Sequence, residues 1–351
     1  MPPRRITLRD IATAAGIHYA TVSRALNGSP LIAEETRERV QKIAREMGYI
    51  PDPMLSALTA YRSALRPEHF HACIAWITNS FSRTEWNSCE TFDLYFKGAR
   101  ERAASLGYTL EEFWLREPGM NWRRNSEVLL ARGITGLIVA PQPKPKMRVR
   151  LDWPRFSAVA IGYTTFSPYL HIITNDQFHS VVTAVRNVRS RGYRRIALWL
   201  WARSNDERID RGWTGGFFAQ QQYWPQSGQL PVYYIRGSAM SPGDWIKEYR
   251  PDAIVGDFNM AQLIEKAGHK IPEDIGFASY VSLNRNSGNL CGIDENATAT
   301  GAAAVDLLVN MMNRGERGVP KIHRRILIEG TWLDGTTLRP STAPKPKAAR
   351  D

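Results

Sequence analysis

A short stretch close to the N-terminus carries side chains that can read a nucleic acid. Tyr19, Ala20, Ser23 and Arg24 stand exposed near the front of a helical pattern running from Tyr19 to Leu26. An arginine can donate two hydrogen bonds to O6 and N7 of guanine, a tyrosine can bond or pack at a base edge, and an alanine can touch a thymine methyl. Thr7, Thr21, Ser23 and Asn27 are short polar residues able to bond phosphates, which fixes register without reading sequence. The same residues are compatible with a small helical core bearing a solvated arginine, and pattern alone leaves both readings open.

Catalytic patterns are missing elsewhere in the sequence. Gly212, Gly215 and Gly216 lack the G-x-G-x-x-G order of a dinucleotide loop. There is no G-x-S-x-G elbow, H-E-x-x-H pair or phosphate-cradling lysine loop. His69-x-His71 could bind a metal at a strand edge, but it matches no metal-site motif. Cys73, Cys89 and Cys291 form no C-x-x-C pair, which argues against both a zinc site and a disulfide framework. No cofactor or metal is expected, and a cytosolic α/β enzyme is the competing class. The pairs Glu34-Glu35 and Glu111-Glu112 read as solvated helix faces, and Arg186, Arg189, Arg191, Arg194 and Arg195 read mostly as a solvated helix end.

The elements that must position these groups follow from periodicity. Thr7 and Asp10 fit a capping box, Leu8, Ile11, Ala12 and Ala15 then share one helical face, and Gly16 can stop the helix. Val22, Ala25 and Leu26 face inward on the second helix, which Asn27-Gly28 ends. A third helix runs from about Glu34 to Met47 with Val40, Ile43, Ala44 and Met47 inside, and Gly48 closes it. Two short helices joined by a tight turn make a helix-turn-helix.

Four segments are expected: residues 1–50 as this all-α headpiece, 51–69 as a proline-bounded connector, 70–340 as a large α/β body, and 341–351 as a disordered Pro/Ala/Lys-rich tail. In the body, apolar runs at 73–77, 136–140, 158–161, 195–199 and 253–255 read as buried strands. They alternate with helical stretches at 92–106, 122–132, 176–191, 260–268 and 296–313. That alternation predicts two doubly wound parallel sheets. The net charge of +12, from 46 basic and 34 acidic residues, favours a polyanionic partner. No apolar run approaches the roughly 18 residues of a membrane span. The opening MPPRRITLRD has no apolar core of a signal peptide, so a cytoplasmic protein is expected.

The stretch from Ile6 through Asn27, continued by Thr36-Arg37-Glu38-Arg39-Val40 and Gly48-Tyr49-Ile50-Pro51, resembles the headpiece of the LacI/GalR repressor family. His18 and Ala33 stand where that family usually caps the second and third helices with Ser or Thr and with Ser. A protonated His18 beside a phosphate would add affinity. The resemblance implies a homodimer on double-stranded, pseudo-palindromic operator DNA, with connector helices wedging the minor groove. Leu58 matches the inserted leucine, while Leu55-Ser56 replaces the usual Ala-Arg.

The body is similar to the family's effector domain, in which two periplasmic-binding-protein-like lobes close on a small molecule, commonly a carbohydrate. Thr174-Asn175-Asp176, Gly192-Tyr193, Pro251-Asp252, Ile271-Pro272 and Ile293-Asp294 through Gly301 carry that likeness. It implies effector contacts at Asp176, Arg208, Arg211, Trp213, Asp257, Phe258 and Tyr280. The family's usual arginine falls on Trp213, its Asn-Asp pair on Asp257-Phe258 and its acid on Val281, so the sugar-gripping set is largely replaced and a non-sugar effector stays open. Aromatic faces at Trp199, Trp201, Trp213, Tyr223 and Trp224 could stack on a ligand or fill the lobe core.

Overall fold

A computed structural model describes residues 6–26, 32–47, 49, 72–281 and 289–340. The discounted pair His69 and His71, the wedge at Leu55 and Leu58, Asn27 and the tail 341–351 lie outside the described residues.

In the headpiece, α1 (Leu8–Ala15) opens with the expected capping box: Thr7 Oγ1 accepts from the Asp10 amide, and Asp10 accepts from the Thr7 amide at 2.8 Å. Gly16 closes it at φ 64°, a left-handed conformation that costs glycine little. α2 (Tyr19–Leu26) and α3 (Glu34–Glu46) follow. Ile11, Val22, Ala25 and Val40 are fully buried where the three helices meet. Ala33 supplies no side-chain cap to α3, as its methyl dictates.

The body begins with β1 (Ala72–Thr78), α4 (Glu90–Ser105), β2 (Tyr108–Trp114), α5 (Trp122–Ala131) and β3 (Gly136–Val139). Next come β4 (Met147–Arg148), β5 (Ser157–Ile161), β6 (Thr165–Ser167), β7 (His171–Asn175) and α6 (Gln177–Ser190). β8 (Ile196–Leu200), α7 (Arg203–Glu207), α8 (Gly212–Gln221), β9 (Tyr233–Tyr234), α9 (Pro242–Tyr249) and β10 (Ala253–Gly256) continue the chain. α10 (Ala261–Lys266), β11 (Gly276–Ser279), β12 (Cys291–Asp294), α11 (Ala297–Asn313), β13 (Arg325–Ile328) and β14 (Thr331–Leu333) complete it.

Among the described residues the strands form two main sheets, ordered β13-β7-β5-β3-β1-β2 and β14-β12-β11-β10-β8-β9. Each is parallel apart from β14, which runs against β12. The chain passes between sheets three times, after β7, β12 and β13, so neither lobe is a continuous piece of sequence. Buried strands such as Gly136–Val139 and Ser157–Ile161 are apolar on both faces because helices cover both.

Two readings need correction. Glu111-Glu112 lie on β2, an edge strand, and not on a helix; Glu112 accepts from Trp86 Nε1 at 2.9 Å, and Glu111 pairs with Arg132. Adjacent on a strand, the two glutamates point to opposite faces of the sheet, which the double acidic pair conceals in the sequence. The basic run is also less solvated than expected. Arg191 is 8% exposed against Asp334, and Arg195 donates to the backbone carbonyls of Ser227, Tyr249 and Arg250.

In the first lobe α4 and α11 cross at two glycines. A Cβ on Gly301 would stand 1.9 Å from the Tyr95 carbonyl oxygen, and one on Gly98 would stand 2.0 Å from that of Thr298. Backbone cannot yield as a side chain can, so Gly301→Ala is expected to destabilise the body by about 1–3 kcal/mol, as overpacking does. Urea unfolding checks it; an unchanged midpoint would show that the helices can slide apart freely.

Candidate nucleic-acid interface and interlobe cleft

In the headpiece α2 opens on an exposed aromatic residue. Tyr19 is 51% exposed with its ring 4.7 Å from that of His18, and Thr21 is half-buried. Ala20, Ser23 and Arg24 lie on the same helix. The Thr7 hydroxyl is engaged with Asp10 in the cap, at 2.7 Å. A short helix fixed on its inner side by Val22 and Ala25 is the geometry that a major groove admits.

In the body, the carboxyl ends of the strands in both sheets face the junction of the lobes, where ligands of such folds bind. From the second lobe, Trp213 and Tyr280 stand with ring centroids 4.7 Å apart. Trp213 Nε1 donates to Gln177 Oε1 at 2.7 Å, and Gln177 Nε2 donates to Glu295 Oε1 at 2.8 Å. The next residue, Thr214, donates through Oγ1 to Asp206 at 2.6 Å. Asp206 is 3% exposed, and burial pushes its carboxyl pKa up against the hydrogen bonds from Thr214. Burial likewise raises that of Asp257, whose carboxylate accepts from Asn259 and Trp201. Asp210 and Arg211 are consecutive non-glycine residues at φ 56° and 60°. Such backbone costs about 1–3 kcal/mol per residue and clusters at functional loops.

Not every expected effector residue joins this group. Asp176 caps α6, accepting from the His179 amide and ring at 2.9 and 2.8 Å. Phe258 opens a 3-10 turn behind Asp257. Arg208 reaches across to the first lobe, donating to the carbonyls of Gln142 and Pro143 at 2.9 and 2.8 Å. There Gln142, Asn79 and Thr164 form a buried polar wall: Asn79 donates to Gln142 at 3.1 Å, and the Gln142 amide donates to Thr164 Oγ1 at 2.7 Å. Asp206, Thr214, Gln177, Glu295 and Gln142 escaped the sequence reading, because burial of a polar residue leaves no periodic mark.

Trp199 is fully buried and Trp224 is 6% exposed, so both are core. The glycine-rich stretch has a packing cause, since a Cβ on Gly216 would stand 2.5 Å from the Phe178 carbonyl where α8 crosses α6. Among the described residues no group of His, Cys, Asp and Glu is placed to hold a metal, and no helix is long and apolar enough to cross a membrane.

A helix-turn-helix headpiece joined to a two-lobed α/β body defines a DNA-binding transcriptional regulator with a ligand-binding module. Residues 7–52 match the bacterial regulatory proteins of the lacI family, and residues 185–337 match the periplasmic binding protein-like domain. The chain belongs to the LacI/GalR family. It is 21% identical over 335 residues to the transcriptional regulator MalR of Streptococcus pneumoniae, covering 92% of this chain and 97% of MalR. The fold is shared with the lac repressor dimer bound to operator and the anti-inducer ONPF, at 19% identity and TM-score 0.53 over 95% of this chain and 99% of that one. It is shared also with the regulator CelR in complex with cellobiose, at 17% identity and TM-score 0.52 over 95% and 100%.

The Arg208 bridge makes a testable demand. A lysine lacks the planar pair of nitrogens with which Arg208 reaches both carbonyls, and a hydrogen bond to a charged group contributes about 1.5–3 kcal/mol. Arg208→Lys is therefore expected to speed amide exchange in segment 142–146 by about tenfold or more. Exchange as slow as in the parent would show that the bridge does not hold the lobes.

Proposed function

We propose that this regulator is a repressor that binds a pseudo-palindromic operator as a homodimer and is controlled by a small polyhydroxylated effector in the interlobe cleft. The observation that carries this reading is the joining of a capped helix-turn-helix to a body whose lobes meet through polar side chains. Tyr19, Ala20 and Arg24 would read base edges, while Thr7, His18, Thr21, Ser23 and Asn27 would hold phosphates. Leu55 and Leu58 would enter the minor groove and kink the duplex, offsetting unstacking by extra contact. A dimer is needed because one headpiece spans too few base pairs for useful specificity. Operator and the anti-inducer ONPF on the lac repressor, and cellobiose on CelR, support the corresponding roles here.

The effector would lie among Arg211, Trp213, Asp257 and Tyr280, with Arg208 closing the cleft and Asp176 and Phe258 supporting its walls. The protein would act in the cytoplasm, where its DNA is, and as a sensor without catalysis; helix packing accounts for the only glycine-rich stretch that suggested an enzyme.

Operator sites selected from random duplexes supply the test. The parent should hold its selected site far more tightly than random competitor at moderate salt, and equal affinity for both would end the reading. Arg24→Ala should cost about 1–3 kcal/mol on that site and relax one base position, whereas equal losses on all sequences would assign Arg24 to phosphate. Leu58→Ala should reduce operator bending in a circular-permutation gel assay; unchanged bending would place Leu58 in packing of the connector.

A further inference from the structure

The wall that the first lobe brings to the cleft gathers positive charge without a counter-ion. Asn79, Ser80 and Phe81 follow β1, Arg116 follows β2 and Lys144 follows β3, so all stand at the carboxyl edge of one sheet. Phe81 is 52% exposed, and two exposed cations share its ring: Arg116 Cζ lies 4.8 Å from the centroid and Lys144 Nζ 5.2 Å. Arg116 is fixed there, since its Nε donates to the carbonyl and Oδ1 of Asn79 at 3.1 and 2.9 Å. Asn79 in turn donates to Gln142. Arg208 arrives from the other lobe onto the carbonyls of Gln142 and Pro143, and Lys144 is the next residue. Hydrogen bonds and ring contacts thus tie three cations to one short stretch of wall.

None of the three forms an ion pair with a described carboxylate. Glu85, the acid bonded at this wall, accepts from the Phe81 amide at 2.7 Å. The terminal nitrogens of Arg116 and the Lys144 ammonium make no hydrogen bond to a described residue. An aromatic ring attracts a cation without occupying its N–H donors as a carboxylate would. Burial lowers the pKa of Arg208, whose two carbonyl partners are neutral. Ser80, between Asn79 and Phe81, is 2% exposed, and its hydroxyl has no partner among the described residues.

Such a wall favours a negative occupant. A neutral sugar leaves the repulsion between Arg116 and Lys144 in place. A phosphate or carboxylate relieves it and accepts charge-assisted hydrogen bonds, which are about twice as strong as neutral ones. The fork of an arginine matches the paired oxygens of either group, and a lysine adds a compact point charge.

Resting on the reading of this cleft as the effector site, we propose that the effector is an anionic sugar, a polyhydroxylated compound whose phosphate or carboxylate group is held by Arg116 and Lys144 beside Phe81. Arg208, bonded to the residues just before Lys144, adds its charge from the facing lobe.

The test is a calorimetric and thermal-shift comparison on the full-length protein, in a buffer free of phosphate, sulfate and carboxylates. Glucose, galactose, fructose and cellobiose are set against glucose 6-phosphate, galactose 6-phosphate and fructose 1-phosphate in one arm, and against gluconate, glucuronate and galacturonate in the other. At least one anionic sugar is expected to raise the melting temperature while its neutral parent does not, and the arm in which it falls separates phosphate from carboxylate. Lys144→Gln should weaken that binding by about tenfold or more, the loss of one hydrogen bond to a charged group. Lys144→Arg, which keeps the charge, should restore most of it. Lys144 makes no hydrogen bond to a described residue, so its substitution tests the charge without disturbing the wall, and Arg116→Gln is the second variant. Binding of a neutral sugar in preference to its anionic derivatives would overturn the inference and keep the cleft as the effector site. Silence of the whole panel would overturn both. An anionic sugar that binds equally well to Lys144→Gln and Arg116→Gln would place the anion elsewhere and also refute the proposal.

Discussion

The three crossovers between the lobes are tied to one another by hydrogen bonds, and the behaviour of the body follows from that restraint. Asn175, at the end of β7, donates to the Glu295 carbonyl and to Thr300 Oγ1, and accepts from the Tyr95 hydroxyl. The Asp176 amide donates to the Ile328 carbonyl at 2.8 Å, joining the first crossover to the third. Asn296 donates to the Glu329 carbonyl and to Thr331, joining the second to the third. Three strands of chain so bound can bend together but cannot shift independently. A ligand that pulls the lobes together therefore changes their angle as rigid bodies.

The same junction feeds the cleft. Glu295 lies on the second crossover and accepts from Gln177, which holds Trp213, which stands against Tyr280. A displacement of Trp213 by a ligand is thus felt at the hinge within two hydrogen bonds. Arg208 adds a contact on the far side of the cleft, between α7 and the loop after β3. Hinge and bridge are the two places where closure is resisted or rewarded.

Much of this architecture was legible in the sequence. Capping at Thr7-Asp10, the stop at Gly16 and the inward face of Val22 and Ala25 rest on local rules that tertiary contacts leave intact. Apolar runs such as 136–140 and 253–255 were visible as strands because burial on both faces removes polar residues. β2 was not, since an edge strand tolerates charge on both faces and Glu111-Glu112 resemble a helix surface. Gly98, Gly216 and Gly301 gave no warning of the helix crossings they permit, because the partner of a close approach is distant in sequence.

The cleft was legible only in part. Trp213, Asp257 and Tyr280 could be placed by register with a known family, but the residues that make the floor distinctive are buried and polar. Asp206 lies outside any motif, and it is held by Thr214, eight positions on. The central claim is that interlobe closure and DNA affinity are linked. A direct measurement would join Pro143→Cys to Arg208→Cys with a short bis-maleimide in a protein whose Cys73, Cys89 and Cys291 are replaced by alanine, then compare operator affinity before and after crosslinking. Coupling energies of this kind correspond to about 5- to 150-fold in affinity; a change of at least about fivefold is expected, and identical affinities in the locked and free states would contradict the account.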